Sequence, residues 1–195
     1  MLKRLIRGIK MIYFTADQHF GHRNILKYES RPFANVSEMD EAMISRWNEM
    51  VNKNDMVYIL GDLMFSKKES DVVAIVQRLK GKKILIKGNH DYFASKAWTN
   101  KYFEKVTDYL EINCNGMKFC LMHYPMATWN KKHYGSIHLH GHIHSNKLPF
   151  EIGGRILNVG VDLFDYRPVS IDEVMELTAS MPFGFDAESI EKREK

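Results

Sequence analysis

Nine histidines and several short acidic motifs hold most of the chemistry open to this 195-residue chain. "HLHGHIH" sets His138, His140, His142 and His144 at every second position, and in extended chain that period aims all four imidazoles at one face. Upstream lie Asp17 and His19 in "ADQH", Asp62 in "LGD", Asn89, His90 and Asp91 in "KGNHD", and His123 in "MHYP". Imidazole, carboxylate and amide donors together suit Mn²⁺, Fe, Zn²⁺, Co²⁺ or Ni²⁺, and suit Ca²⁺ poorly. Each motif alone has a plainer reading. "DQH" fits a turn with a surface Asp, "NHD" a loop that binds its own backbone, and a lone His123 a core or capping residue.

The elements that must position these residues decide between the readings. "MIYFTAD", "MVYILGD" and "KILIKGNHD" read as short β-rich runs. Between the first two, Met43, Trp47, Met50 and Val51 mark one face of a helix, with Ser37 and Asp40 as its N-terminal capping pair. Between the second and third, Val72, Val73, Val76 and Leu79 form an apolar stripe, with Ser66 and Glu69 as a cap and Gly81 as a stop. Alternating strands and helices predict a parallel sheet with right-handed crossovers, hence an α/β core. "EINCNGMKFCLMH" reads as a hairpin turning at Asn115-Gly116, which pairs Cys114 with Met117 and Cys120 with Glu111. The two thiols are then out of disulfide reach, as expected for free cysteines in a reducing compartment. A strand at "RILNVGV" and a capped helix at "SIDEVMELT" complete the chain. In this arrangement Asp17, His19, Asp62, Asn89, His90, Asp91 and His123 all fall at or just past strand ends, the edge where open α/β sheets bind ligands.

Composition narrows the field. With 45% apolar and 27% charged residues the chain reads as one globular domain over 1–195, with residues 1–10 as a dispensable leader and 183–195 as a frayed tail. No apolar run reaches transmembrane length, and the basic opening lacks the apolar stretch of a signal peptide, so a cytoplasmic location is expected. A net charge of +4, dispersed, argues against a large nucleic-acid footprint while leaving short or single-stranded substrates open.

Taken in order, "ADQH", "LGD", "KGNHD", "MHYP" and "GHIH" resemble the calcineurin-like metallophosphoesterase superfamily, and "NVGVDLFDYRPVSIDEV" looks like the closing strand and helix of its small bacterial and phage members. The resemblance implies a four-layer α/β/β/α sandwich with two divalent metal ions, Mn foremost, at the strand ends. It assigns Asp17, His19, Asp62 and His144 to one ion, and Asp62, Asn89, His123 and His142 to the other, with Asp62 bridging. Two divalent ions less the charges of Asp17 and Asp62 leave about +2, or about +1 with a bridging hydroxide, which favours an incoming phosphate anion. The implied reaction is in-line attack of that hydroxide on a phosphate ester. His90 is then the general acid that protonates the leaving oxygen, and Asp91 the carboxylate that holds its ring.

Of the four histidines in the row, His142 and His144 match the motif beyond Gly141, while His138 and His140 read as structural members of the strand. "GHRN" adds His22 and Arg23 as substrate-phosphate contacts, with Asn24 as a helix cap. Trp129 with Lys131 or Lys132 reads either as a cleft wall or as an anchored surface loop. A small phosphate ester, with nucleotides among the candidates, is the expected partner. Phosphodiesterase is favoured over phosphomonoesterase, over a nuclease acting on short strands, and over a non-catalytic metal-bound scaffold. The scaffold reading is the weakest, because every ligand position and the acid are present.

Overall fold

Three parallel strands carry the first half of the motif set. β1 (Ile12–Thr15), β2 (Met56–Leu60) and β3 (Lys82–Ile86) pair in register, Ile12 with Met56 and Met56 with Lys82. The structure is a computed structural model describing residues 10–147 and 151–184. The expected leader and tail therefore lie outside the described residues, apart from Lys10, Phe183 and Gly184. The strands are connected by α1 (Ile25–Tyr28), α2 (Val36–Met50) and α3 (Glu69–Val76). Next come β4 (Lys105–Thr107), the hairpin of β5 (Tyr109–Cys114) and β6 (Met117–Met122), then β7 (Ile137–His140) and β8 (Arg155–Asn158). β9 (Val169–Ser170) and α4 (Ile171–Thr178) close the series.

The strands form two sheets, ordered β4-β3-β2-β1-β9 and β5-β6-β7-β8. β7 lies parallel to both its neighbours. Side-chain alternation explains the continuous apolar runs, since both faces of the first sheet are buried. Tyr13, Val57, Ile59 and Leu85 face Met39, Met43 and Trp47 of α2 and Val72 and Val76 of α3. Phe14, Tyr58, Leu60 and Ile86 face the second sheet through Phe119, Leu121, Ile137 and Leu139. Trp47, 2% exposed, anchors the helical layer, and its truncation to Ala costs about 3–5 kcal/mol. Two sheets flanked by helical segments are the layered sandwich expected. The 124–135 segment packs on β7, with the Trp129 ring 5.2 Å from His138, and holds a 3₁₀ turn at Lys132–Tyr134, while α4 packs on β8 and β9.

Local details depart from the sequence reading in instructive ways. The cap of α2 is Asn35, whose extended backbone lets its side chain accept from Glu38 N; Ser37 lies inside the helix. Asp40 turns away to accept from Gly21 N at 3.1 Å, tying the loop after His19 to α2. Ser66 does not cap α3 either, because the helix starts three residues later and the hydroxyl bonds Asp71 and Lys68 N. That helix ends at Val76, and Gly81 instead turns the chain into β3 with φ +88°. The capping box of α4, Ser170 with Glu173, is present. The hairpin has the expected register, Cys114 with Met117 and Cys120 with Glu111, and both thiols are free.

Candidate metal centre

Five chemically important residues share an unusual backbone. Asp17, His19, Asp62, His142 and His144 all adopt positive φ, between 50° and 74°, although none is glycine. Such positions cost roughly 1–3 kcal/mol each and persist only where the surroundings enforce them. The enforcement is visible. Asp17 N donates to Gly61 O and His19 N to Asp62 O, which locks the two loops together past β1 and β2. His142 N donates to both oxygens of Asp17, and Asn158 Nδ2 donates to His144 O. Gly88 and Gly141 permit the close approach, since a Cβ at either would collide with the carboxylate of Asp62 or Asp17.

These turns gather two donor groups. Asp17, His19 and His144 form one, and Asp62, His123 and His142 the other, the donor atoms of each group lying within 4.8 Å of one another. Asp62 Oδ2 lies 3.6 Å from His19 Nε2 and 3.5 Å from His123 Nε2, so it faces both groups. Donors about 2.0–2.2 Å from a shared ion are separated by roughly 3–3.5 Å, and these distances fit that spacing. Asn89 Oδ1 lies 3.1 Å from His123 Nε2 and joins the second group.

The nitrogens of two rings argue most directly for a cation. His19 is 2% exposed, and neither of its ring nitrogens has a hydrogen-bond partner. Burial, reinforced by neighbouring His144 and Arg31, pushes its pKa down to about 2, so the ring is neutral with a bare lone pair. In His123, Nδ1 lies 2.8 Å from Leu60 O, a carbonyl that can only accept. Nδ1 must then carry the proton, and the unprotonated Nε2 faces the oxygens of Asn89 and Asp62. Three sets of lone pairs converge there, the donor arrangement that a bound cation satisfies. Asp17 points the same way, because burial pushes its carboxyl up to about 7. A divalent ion reverses that penalty by favouring the carboxylate.

His138 and His140 take no part in either group. His138 Nδ1 lies 2.9 Å from Cys120 O and Nε2 accepts from Met126 N, so both nitrogens are spent on backbone. His140 Nδ1 lies 2.8 Å from Gly141 O. Trp129 and Lys132 are buried in the same layer, Trp129 against His138 and Lys132 Nζ on Ala127 O, so they anchor the loop rather than wall a cleft.

His90, His22, Arg23 and Asn24 line a cleft of about 580 Å³ that opens beside His19 and His144. The His90 ring lies 5.3 Å from that of His19, and its Nδ1 has no partner. Asp91 does not hold it. The Asp91 carboxylate accepts from the backbone N–H groups of Asp62, Gly88 and Leu63, at 2.8, 2.8 and 2.9 Å. The residue is 5% exposed, and it fastens the Asp62 loop to the Asn89 loop. Its orientation toward amides excludes the ring-holding role expected from its place beside His90. His22 stacks on Phe65 at 4.1 Å, and Asn24 sits at the start of α1 without making a side-chain cap.

Two residues that brace the candidate site escaped the sequence reading. Arg31, 4% exposed, donates to Asp17 O and Gln18 O and forms a two-pronged ion pair with Asp162. Asp162 Oδ2 in turn lies 2.8 Å from His144 Nδ1. Burial opposes protonation of His144, yet Asp162 and Asp17 outweigh it and hold the ring above its ordinary pKa. Carboxylate partners of this kind fix a ligand's tautomer and direction. Asp162 follows a strand and a glycine much as Asp62 does, which is a faint signal. Arg31 stands in no motif.

Residues 12–162 match the calcineurin-like phosphoesterase superfamily domain. An uncharacterized protein of Methanocaldococcus jannaschii is 40% identical over 175 residues, spanning 87% of this chain and 92% of its own. The gene 66 protein of Mycobacterium phage L5 is 30% identical over 196 residues, spanning 85% of this chain and 92% of its own. A solved structure, a protein of unknown function from Aquifex aeolicus, superposes with a TM-score of 0.70 at 26% identity, covering 87% of this chain and all of that one. With most of its length matched and its motifs gathered where the two sheets meet, the chain belongs to the calcineurin-like phosphoesterase superfamily.

Proposed function

We infer that the protein hydrolyses phosphodiesters at a two-metal centre, with His90 as the proton donor. The observation that carries this reading is the pair of donor groups joined at Asp62 Oδ2. Asp17, His19, Asp62 and His144 would hold one ion, and Asp62, Asn89, His123 and His142 the other. Bound divalent ions, Mn foremost and Fe, Zn, Ni or Co as alternatives, supply Lewis acidity toward phosphoryl oxygens and a nucleophile from water at neutral pH.

The chain's own residues supply the rest. Arg31 and Asp162 keep His144 aimed, and Leu60 O fixes the tautomer of His123. The His90 backbone N–H donates to Asp62 Oδ1 at 2.8 Å, which sets its side chain at the cleft beside the donor groups. From there its imidazolium can protonate a departing alkoxide, a contribution of about 10²–10⁴ in rate. Arg23 and His22 line the same cleft, which supports a role in contacting the non-reacting phosphoryl oxygens. Exposed Arg23 and Tyr28 leave the cleft wide at its mouth, which gives a second ester arm room. A cytoplasmic location is proposed with the activity, since two thiols too far out of step to protect each other as a disulfide suit a reducing compartment.

The test is a comparison of bis(p-nitrophenyl) phosphate with p-nitrophenyl phosphate under matched Mn²⁺ and pH. The diester should show the higher kcat/KM, and a chelator should abolish its hydrolysis. A strong monoester preference would overturn the diesterase assignment and make His22 and Arg23 a clamp for a dianionic phosphate.

A further inference from the structure

Exposed aromatic rings crowd one edge of the candidate site. Tyr28 is 68% exposed, Tyr92 45% and Phe65 40%. Each follows a segment that carries metal-centre residues: Tyr28 the Asp17 and His19 loop, Phe65 the Asp62 loop, and Tyr92 the Asn89 loop. Phe65 lies face to face with His22 at 4.1 Å and edge-on to Tyr92 at 6.4 Å, while Tyr28 meets His22 edge-on at 6.2 Å. The four rings form a continuous rim. It comes within 5.5 Å (Phe65) and 6.2 Å (Tyr92) of the His90 ring, centroid to centroid. Lys67 Nζ sits 4.7 Å from the Tyr92 ring, and Arg23 is exposed at the cleft. Cations therefore accompany the aromatic surface.

Folding alone does not account for this surface. The buried core is complete without these three rings, which stay in water instead of filling it. Exposed aromatic surface gathered beside a polar cleft marks a binding site. Phe65 also borders a second hollow of about 440 Å³, lined by apolar Phe20, Met64 and Ile75 and by the carboxylates of Asp40 and Asp71. Flat aromatic faces beside an apolar hollow suit a planar heterocycle.

We propose that the aromatic rim of Tyr28, Phe65 and Tyr92 binds a nucleobase, so that the substrate is a nucleoside phosphodiester presented with its base unstacked. This rests on the diesterase reading above and specifies one arm of the diester. The phosphate lies at the donor groups, and the base, one sugar away, lies on the rim with Lys67 and Arg23 toward the neighbouring phosphates. Stacking tolerates any base, because every base has a π-face, and it excludes paired duplex, whose faces are already covered. Aliphatic diesters offer no face to stack.

Two substrates with the same leaving group test this on the Mn²⁺-loaded full chain: the p-nitrophenyl ester of thymidine 5′-phosphate, and methyl p-nitrophenyl phosphate. The nucleoside ester should be preferred by about tenfold or more in kcat/KM, chiefly through KM. The ratio should fall several-fold in Tyr28→Ala, Tyr92→Ala or Phe65→Leu and approach one in the triple variant. Because it is a ratio within one preparation, partial unfolding of a variant does not move it. A ratio near one in the wild-type protein, or a wild-type ratio kept by the triple variant, would overturn the base site while leaving diesterase activity in place. Hydrolysis of neither ester would instead take down the diesterase reading, and the base site with it.

Discussion

A buried imidazole is committed to its role by what each of its two nitrogens touches. His138 bonds backbone through both and has nothing left for an ion, whereas His19 has partners on neither and His123 keeps Nε2 bare. Replacing His142 or His144 with Ala should therefore lower metal content and cut turnover by at least about a hundredfold, while His138→Ala should act on stability. Elemental analysis of the three purified variants checks this; metal loss in His138→Ala as severe as in His142→Ala would contradict the division. His90 calls for a different readout. His90→Ala should keep its metal and lose about 10²–10⁴ in rate on alkyl leaving groups, with little loss on nitrophenyl leaving groups, which depart without a proton. Equal losses on both would make His90 a positioning residue. The residues gathered into the two donor groups were legible in the sequence because strand-end Asp, Asn and His in a fixed order leave few alternatives. The true partners of Asp91 were not, because the groups that donate to it are backbone N–H groups of residues 62, 63 and 88, invisible to side-chain pattern.

At the scale of elements, the parallel strands place the motifs and the loops between them aim each side chain. Strand runs, the hairpin register and the cap of α4 could be read because periodicity and turn chemistry are local. The caps of α2 and α3 could not, since several Ser, Asn and Asp residues compete near each helix start and tertiary contacts choose among them. Asp40, for example, is drawn to Gly21 N. β4, three residues long, is too short to show alternation. The strand β7 carries a consequence for pH. Burial holds His138 below its ordinary pKa and pushes His140 down to about 4, so the fold keeps both neutral. Above pH about 6.5 neither folded nor unfolded chain protonates them, and no stability is lost. Below it the unfolded chain takes up protons that the fold refuses, so stability falls as pH drops from about 6.5 toward about 4. Because buried Asp17, held up to about 7, contributes with the opposite sign over the same range, the share of β7 is read by comparing urea denaturation of metal-free wild type and a β7 variant at pH 7.5 and pH 5. His138→Gln, which can still accept and donate, should be less stable at pH 7.5 and show a shallower fall. An unchanged acid slope in that variant would contradict a neutral His138.

For the whole molecule, the site exists only because the two sheets meet. Asp17, His19, Asp62 and Asn89 leave the first sheet, His123, His142 and His144 leave the second, and Gly160 bridges to Ala16 where they join. Arg31 and Asp162, 131 residues apart in sequence, tie the same seam. That distance explains why neither residue stood out: their importance arises from packing that no local pattern encodes. Among the described residues no helix is long and apolar enough to cross a membrane. Since both sheets supply donors, an ion in either group should stabilise the assembled fold and raise its Tm. The most direct measurement is metal stoichiometry with activity, taken on chelated protein titrated with Mn²⁺ and followed by elemental analysis and diester hydrolysis. Two ions per chain are expected, with hydrolysis absent from the metal-free protein and appearing as the second ion binds. Full activity in protein shown to be metal-free, or with a single ion per chain, would contradict the two-metal centre.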